Sequence, residues 1–280
     1  MADRRIGTEA VTKGKAMEDE RPSGTVRALL LVGGNFHDFD MVRRRLLAAL
    51  GADERIRTTC TNGFHDLDAL KAADFLLTYT TNIFPEGEAL AELERFLARG
   101  GRWLAIHGSA AYIEFSGTEV EIGGIKLPGL TDTPDRHPAY MDLLGCRFIS
   151  HLALQPFTVR SVSDHPIVAG LPPFEVVDEP YILELRGESE ILLESRYTGD
   201  APGYVKGPWL EDLPRPQAVL HRHGAGEALF LAPGHSCGRY DLQPFIAEIE
   251  PQVGPWGNHV FLEIIRRAIR WGARMPSDAS

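Results

Sequence analysis

Cysteine is scarce, with Cys60, Cys146 and Cys237 the only three in 280 residues. Their scatter fits no zinc ribbon, and an odd count fits no disulfide framework, so a reducing cytoplasm is the expected setting. Long apolar runs are missing too. No stretch approaches the roughly 18 consecutive apolar residues that a membrane-spanning helix needs. The first 25 residues carry five acidic and five basic side chains and lack the apolar core of a secretory signal. They read as a disordered tail, as do residues 275–280, which leaves residues 26–274 as one domain. Basic charge is in deficit: 29 Lys and Arg against 39 Asp and Glu leave a net charge of −10. That balance argues against a nucleic-acid partner, and no membrane partner is expected. G-x-G-x-x-G, P-loop, H-E-x-x-H and G-x-S-x-G patterns are all absent, so nucleotide binding and the commonest zinc and serine hydrolases have no support.

What is present is ordinary globular composition, 44% apolar and 24% charged, in an alternating pattern. VRALLLV at Val26 to Val32 is a nearly continuous apolar run ended by Gly33-Gly34, as a strand buried on both faces should be. Asp40 is placed to cap a helix from Met41 to Leu50, with apolar residues at helical spacing. The pattern recurs: a strand over Arg55 to Cys60, a helix over Asp66 to Ala73, a strand over Phe75 to Thr80, a helix over Pro85 to Arg99 and a strand over Trp103 to Ile106. Small residues at Ser109 to Ala111 could open another helix. Such alternation predicts an α/β fold with a doubly wound, mainly parallel sheet and helices on both faces. Periodicity is lost over about 114–142, read as a loop insertion above the sheet. Further strands are expected over Phe157 to Val162, Ile191 to Ser195, Gln217 to Leu220 and Ala228 to Ala232, with a hairpin turn at Gly224 to Gly226 and a closing helix from Asn258 to Gly272.

In open α/β sheets, ligands bind outside the carboxyl ends of the strands. His37-Asp38 follows the first strand, His107 ends the fourth and His235 follows ALFLAPG, so three imidazoles are expected on one rim. GGRWLAIHGSAA has the shape of a strand-turn-helix elbow with His107 at its apex, which suits a general acid or base, an oxyanion donor or a metal ligand. Asp178-Glu179 precedes Pro180; neighbours in extended chain point to opposite sides, so one carboxylate faces the pocket, and Tyr181 shares the side of Glu179. Asp164-His165-Pro166 reads as a turn. His221 and His223 could share one strand face and hold a metal, or simply flank a turn. His37, Asp38, His107, His151 and His235 are donors that suit a divalent metal, whose identity the sequence leaves open. Cys237 sits near the rim as either a reactive or an inert buried thiol.

Taken in order, several motifs resemble one family. They are GG-x-FHDF at Gly33 to Phe39, GGRWLAIHGSAA at Gly100 to Ala111, LLGCRFISH at Leu143 to His151, SDHPIVAGLP at Ser163 to Pro172, DEPY at Asp178 to Tyr181 and HRHGAGEALFLAPGH at His221 to His235. A tryptophan-bearing helix follows. Over about residues 26–274 the chain resembles the trehalose utilisation (ThuA-like) family, which is similar in fold to the class I glutamine amidotransferases and flavodoxin-like. In those relatives the elbow bears a catalytic cysteine; here His107 stands there, which removes the thiolate and with it glutaminase chemistry. Gly145-Cys146 replaces a common glycine pair, and residues 116–135 are longer than usual.

The resemblance implies sugar catabolism, with a trehalose-related disaccharide or its 3-keto form as substrate. A ketone acidifies the neighbouring C–H, so such an enzyme needs a base and a donor or cation for the enolate oxygen. The expected catalytic groups are His107 at the centre, with His37, Asp38 and Glu179; His151, His235, Tyr181 and Ser109 are expected to bind substrate. The reaction is left among hydrolysis, elimination and isomerisation, and self-association as a homo-oligomer is left open. The alternatives are a non-catalytic sugar-binding or regulatory protein on an amidotransferase-like scaffold, and a hydrolase using Ser109 or Cys237.

Overall fold

The computed structural model describes residues 24–122 and 124–276, so the tails expected at 1–25 and 275–280 fall almost wholly outside it. The chain begins with β1 (Val26–Gly33), α1 (Phe39–Leu50), β2 (Ile56–Thr61), α2 (Leu67–Ala72), β3 (Phe75–Thr80), α3 (Glu88–Ala98) and β4 (Arg102–Ile106). Four short strands follow, β5 (Glu114–Phe115), β6 (Val120–Ile122), β7 (Ile125–Leu127) and β8 (Thr131–Asp132), then α4 (Pro138–Leu144). The second half is mostly strand: β9 (Cys146–His151), β10 (Gln155–Ser161), β11 (Phe174–Asp178), β12 (Tyr181–Leu185), β13 (Ser189–Arg196), β14 (Pro214–His223) and β15 (Gly226–Leu231). It closes with α5 (His259–Gly272).

Nine strands form one sheet in the order β11-β10-β13-β14-β15-β4-β3-β1-β2. From β15 to β2 all pairings are parallel, and from β15 to β11 all are antiparallel. The expected mainly parallel sheet is thus a mixed one. Part of the reason lies at Gly224-Ala225, since a two-residue turn can join only antiparallel neighbours. Strand β12 pairs with β9 outside this sheet.

The apolar strands in the centre alternate between two cores, as period-two geometry requires. Leu30, Val32, Leu77, Leu104 and Ile106 face Val42, Leu46 and Leu50 of α1 and Val260, Phe261, Ile264 and Ile265 of α5. Leu29, Leu31, Leu76, Trp103 and Ala105 face Leu93, Phe96 and Leu97 of α3 and the apolar side of α4. Each buried Leu, Ile, Val or Phe among them contributes about 1.5–3 kcal/mol, so the sheet is held on both faces.

Several boundaries move. Helix α1 starts at Phe39, and its cap is Asp38, whose side chain accepts the Met41 N–H; Asp40 lies within the first turn. Helix α3 starts at Glu88 after Gly87, whose φ of 52° is left-handed. His107–Ala110 makes one 3-10 turn and no helix. The 114–142 segment holds two small ladders and α4, because strands of two or three residues are too short to show a period. No helix among the described residues is long and apolar enough to cross a membrane.

Leu104 sits wholly buried at the centre of β4. Leu104→Ala is expected to lower the unfolding free energy by about 2–5 kcal/mol, read as a lower urea midpoint at unchanged slope.

Candidate active site

Parallel neighbours β15, β4, β3 and β1 end side by side, so the segments leaving them meet at one rim. Leaving β1, the chain places His37; leaving β4, it turns at His107; leaving β15, it reaches Gly234 and His235. The turn at His107 has φ 53°, a left-handed conformation costing roughly 1–3 kcal/mol for a side chain with a Cβ. It brings Gly108 so close to β3 that a Cβ there would lie 2.2 Å from Thr81 Oγ1. The three imidazole centroids stand 4.9, 5.6 and 5.8 Å apart. The expected meeting of His37, His107 and His235 is therefore what the structure contains.

Glu179 arrives from the other half, between β11 and β12. Its neighbour Asp178 is wholly buried and accepts backbone N–H groups of Gly234 at 2.7 Å, His235 at 3.3 Å and Glu179 at 2.7 Å. This clamp ties the DEPY segment to the loop after β15 and turns Glu179 the other way, into the histidines. Oε2 lies 3.3 Å from His107 Nε2, while Oε1 lies 3.2 Å from His235 Nδ1 and 3.4 Å from His151 Nε2. Of the two carboxylates, Glu179 faces the cleft and Asp178 serves the backbone.

The far nitrogens decide the tautomers, because a carbonyl can only accept. His37 Nδ1 meets Asn35 O at 3.1 Å, His107 Nδ1 meets Ala232 O at 2.8 Å and His151 Nδ1 meets Leu152 O at 2.7 Å. His235 Nε2 meets Gln252 Oε1 at 2.6 Å. In its neutral form each imidazole thus gives one N–H to a fixed oxygen and turns a lone pair inward. Although His235 Nδ1 is close to Glu179, the contact is not in line for a hydrogen bond, and this buried nitrogen has no hydrogen-bond partner. Tyr181 Oη, 3.1 Å from His107 Nε2, can donate to it.

Charge follows from this packing. Burial together with the neighbouring His107 and His235 lowers His37 well below the ordinary imidazole value and keeps it neutral. Burial alone would raise Glu179, but the neighbouring His151 and His235 hold it well below the usual carboxylate range. His235 is held down by burial and lifted by Glu179 more strongly, to about 9. Burial and the Glu179 charge push the Tyr181 phenol well above its ordinary value.

The cluster floors a cleft of about 330 Å³, within the size range of small-molecule sites. His37, His151, Glu179, Tyr181 and His235 line it, and aromatic and aliphatic side chains form the remaining walls. Phe245 bridges the mouth, 5.2 Å from Phe115 and 6.4 Å from Phe36 between ring centroids.

Some expected residues lie elsewhere. His107 is 0% exposed and reaches the cleft only through Glu179 and Tyr181, so it is a buried support rather than the central reacting group. Asp38 caps α1. Ser109 is buried against β3, with Oγ bonded to Thr78 O, Thr78 Oγ1 and the Thr80 N–H; it latches the elbow and is no nucleophile. The Cys237 thiol lines the cleft but is pushed up to about 12 by burial and nearby carboxylates, which leaves it uncharged and unsuited to attack. His221 is packed under Gly145 and bonded to Ser189, and is not half of a metal pair. Gln252 and Tyr204 were not foreseen: Gln252 lies in an irregular loop, and Tyr204 stacks edge-on to His151 at 4.9 Å from a segment without periodicity.

Fold and site together define a mixed α/β protein with a histidine-carboxylate cleft at the carboxyl ends of its parallel strands. More narrowly, the sequence profile of the ThuA family, trehalose utilisation, matches residues 27–250, and the chain belongs to that family. A ThuA-like protein from Bacteroides uniformis shares 15% identity over 92% of this chain and 95% of its own, at a TM-score of 0.59. One from Parabacteroides merdae shares 15% over 91% and 92%, at 0.55. A cold-adapted β-galactosidase from Rahnella sp. matches 90% of this chain with 32% of its own length, at 14% identity and a TM-score of 0.52. These likenesses establish the fold alone. No curated protein matches the sequence.

Asp178→Asn puts an amide N–H₂ against backbone N–H groups. It is expected to lower the unfolding free energy by about 1–3 kcal/mol, measured by urea denaturation. Unchanged stability would show that the clamp contributes nothing.

Proposed function

We propose that this chain is an enzyme of carbohydrate catabolism that acts on a trehalose-related sugar or its 3-keto form by proton transfer, and is not a glutaminase. Membership of the trehalose utilisation family supports the substrate class. The observation that carries the chemistry is the His151–Glu179 pair, 3.4 Å apart on the wall of the cleft. With its Nδ1–H tied to Leu152 O, His151 can take a proton at Nε2, and the adjacent carboxylate stabilises the imidazolium that results. Tyr181 Oη lines the same cleft and can donate the hydrogen bond that a developing enolate oxygen requires. The aromatic walls suit the apolar face of a sugar ring, while the polar floor meets its oxygens.

On this reading the carboxyl ends of the parallel strands carry the chemistry, as in a flavodoxin-like doubly wound sheet. The strand order β2-β1-β3-β4-β15, with helices on both faces, supports that finer description. Residues 26–274 then form one domain working in the cytoplasm on a small molecule.

Purified protein is expected to turn over a member of a panel of trehalose-type disaccharides and their 3-keto derivatives. His151→Ala should lower kcat by about 10²–10⁴ with the circular dichroism spectrum intact. If native protein and His151→Ala bind sugar equally and neither converts it, the protein is a sugar-binding module and the catalytic reading fails.

A further inference from the structure

Within the cleft floor lies an arrangement that proton transfer to sugar does not explain. One ligand atom each from His37, His107, Glu179 and His235 lies within 4.8 Å of the others. Three of these residues are buried, and Glu179 is 16% exposed at its side chain. The hydrogen-bonded N–H groups of the imidazoles point outward to Asn35 O, Ala232 O and Gln252 Oε1, so with the rings neutral what converges is lone pairs and a carboxylate. Acceptors gathered in a buried space repel one another unless a cation stands among them. Such outward hydrogen bonds are also the supports that hold metal-bound histidines in one tautomer and orientation.

We propose that His37 Nε2, His107 Nε2, His235 Nδ1 and Glu179 bind one divalent first-row transition ion, of the zinc or cobalt type. Three neutral imidazoles and one carboxylate are a nitrogen-rich set that suits these ions better than magnesium or calcium, which prefer oxygen. Ligand atoms about tetrahedral zinc stand roughly 3.3 Å apart, so side-chain movements of about an ångström close the set. His37, Glu179 and His235 line the cleft whereas His107 lies behind it, so a bound ion is open to ligands on the cleft side. The unpartnered His235 Nδ1 gains its partner. Tyr181 Oη gives up its contact with His107 Nε2 and becomes free for substrate. The binding site stands on geometry alone; its role in polarising a sugar carbonyl or hydroxyl rests on the proposed function above.

The test uses the full chain, stripped with a chelator and titrated with Zn²⁺ by calorimetry and with Co²⁺ by visible absorption. One equivalent is expected to bind, with Co²⁺ bands of a low-coordinate nitrogen-oxygen site. His37→Ala and His235→Ala should abolish the bands. Gln252→Ala, which leaves every ligand in place and removes only the support of His235, should weaken Zn²⁺ binding by about 10–100-fold and keeps the test decisive if a ligand variant fails to fold. His151→Ala should bind metal as the native protein does. No binding of either ion, or binding that survives His37→Ala and His235→Ala, overturns the metal site. Sugar turnover by the stripped protein would sink the catalytic role of the metal and spare the proposed function, whereas stoichiometric metal without turnover of any sugar would sink the proposed function and spare the metal site.

Discussion

A half-buried carboxylate ringed by imidazoles whose hydrogen-bonded N–H groups all point away is the constraint around which this cleft is organised. Glu179 cannot be neutralised by hydrogen bonds from neutral histidines, because Asn35 O, Ala232 O, Leu152 O and Gln252 Oε1 have already claimed their protons. The charge must be balanced by a proton or a cation held at the centre. His235, lifted to about 9 by that same carboxylate, is the group that takes up a proton when nothing else is bound. The cleft is thus poised toward positive occupants at its floor and apolar ones at its walls.

Holding such a group in place requires rigid surroundings, and the two halves of the sheet divide that work. The parallel half delivers His37, His107 and His235 from strand ends locked by cores on both faces. The antiparallel half delivers Glu179 on a connection that would wander were it not clamped by Asp178 onto the Gly234 and His235 amides. Ser109 acts in the same sense at the elbow, anchoring the left-handed turn of His107 to β3. Residues that look chemically capable, Asp178 and Ser109 among them, are here occupied in fixing others.

Much of this was legible in the residues themselves. The apolar runs at Val26 to Val32, Phe75 to Thr80 and Trp103 to Ile106 marked strands buried on both faces, and the histidines that follow two of them marked the rim. The alternation of extended chain separated Glu179 from Asp178 correctly in direction. Less legible were β9, β11 and β12, whose short runs lie among prolines and charges, and the antiparallel half of the sheet. Gln252 and Tyr204 gave no signal, because they act through position in irregular segments and not through any repeat.

Local chemistry in the chain determined which segments are strand or helix, where they turn and which residue types stand at the turns, since these depend on side-chain period, caps and glycine placed nearby. Only the folded arrangement decided which imidazole faces solvent and which lies behind a carboxylate. It also decided whether a serine or aspartate is free or already bonded, and which nitrogen of each ring is left with a lone pair. Those outcomes depend on backbone oxygens and side chains contributed from distant parts of the chain, and their directions exist only once the two halves of the sheet are packed together.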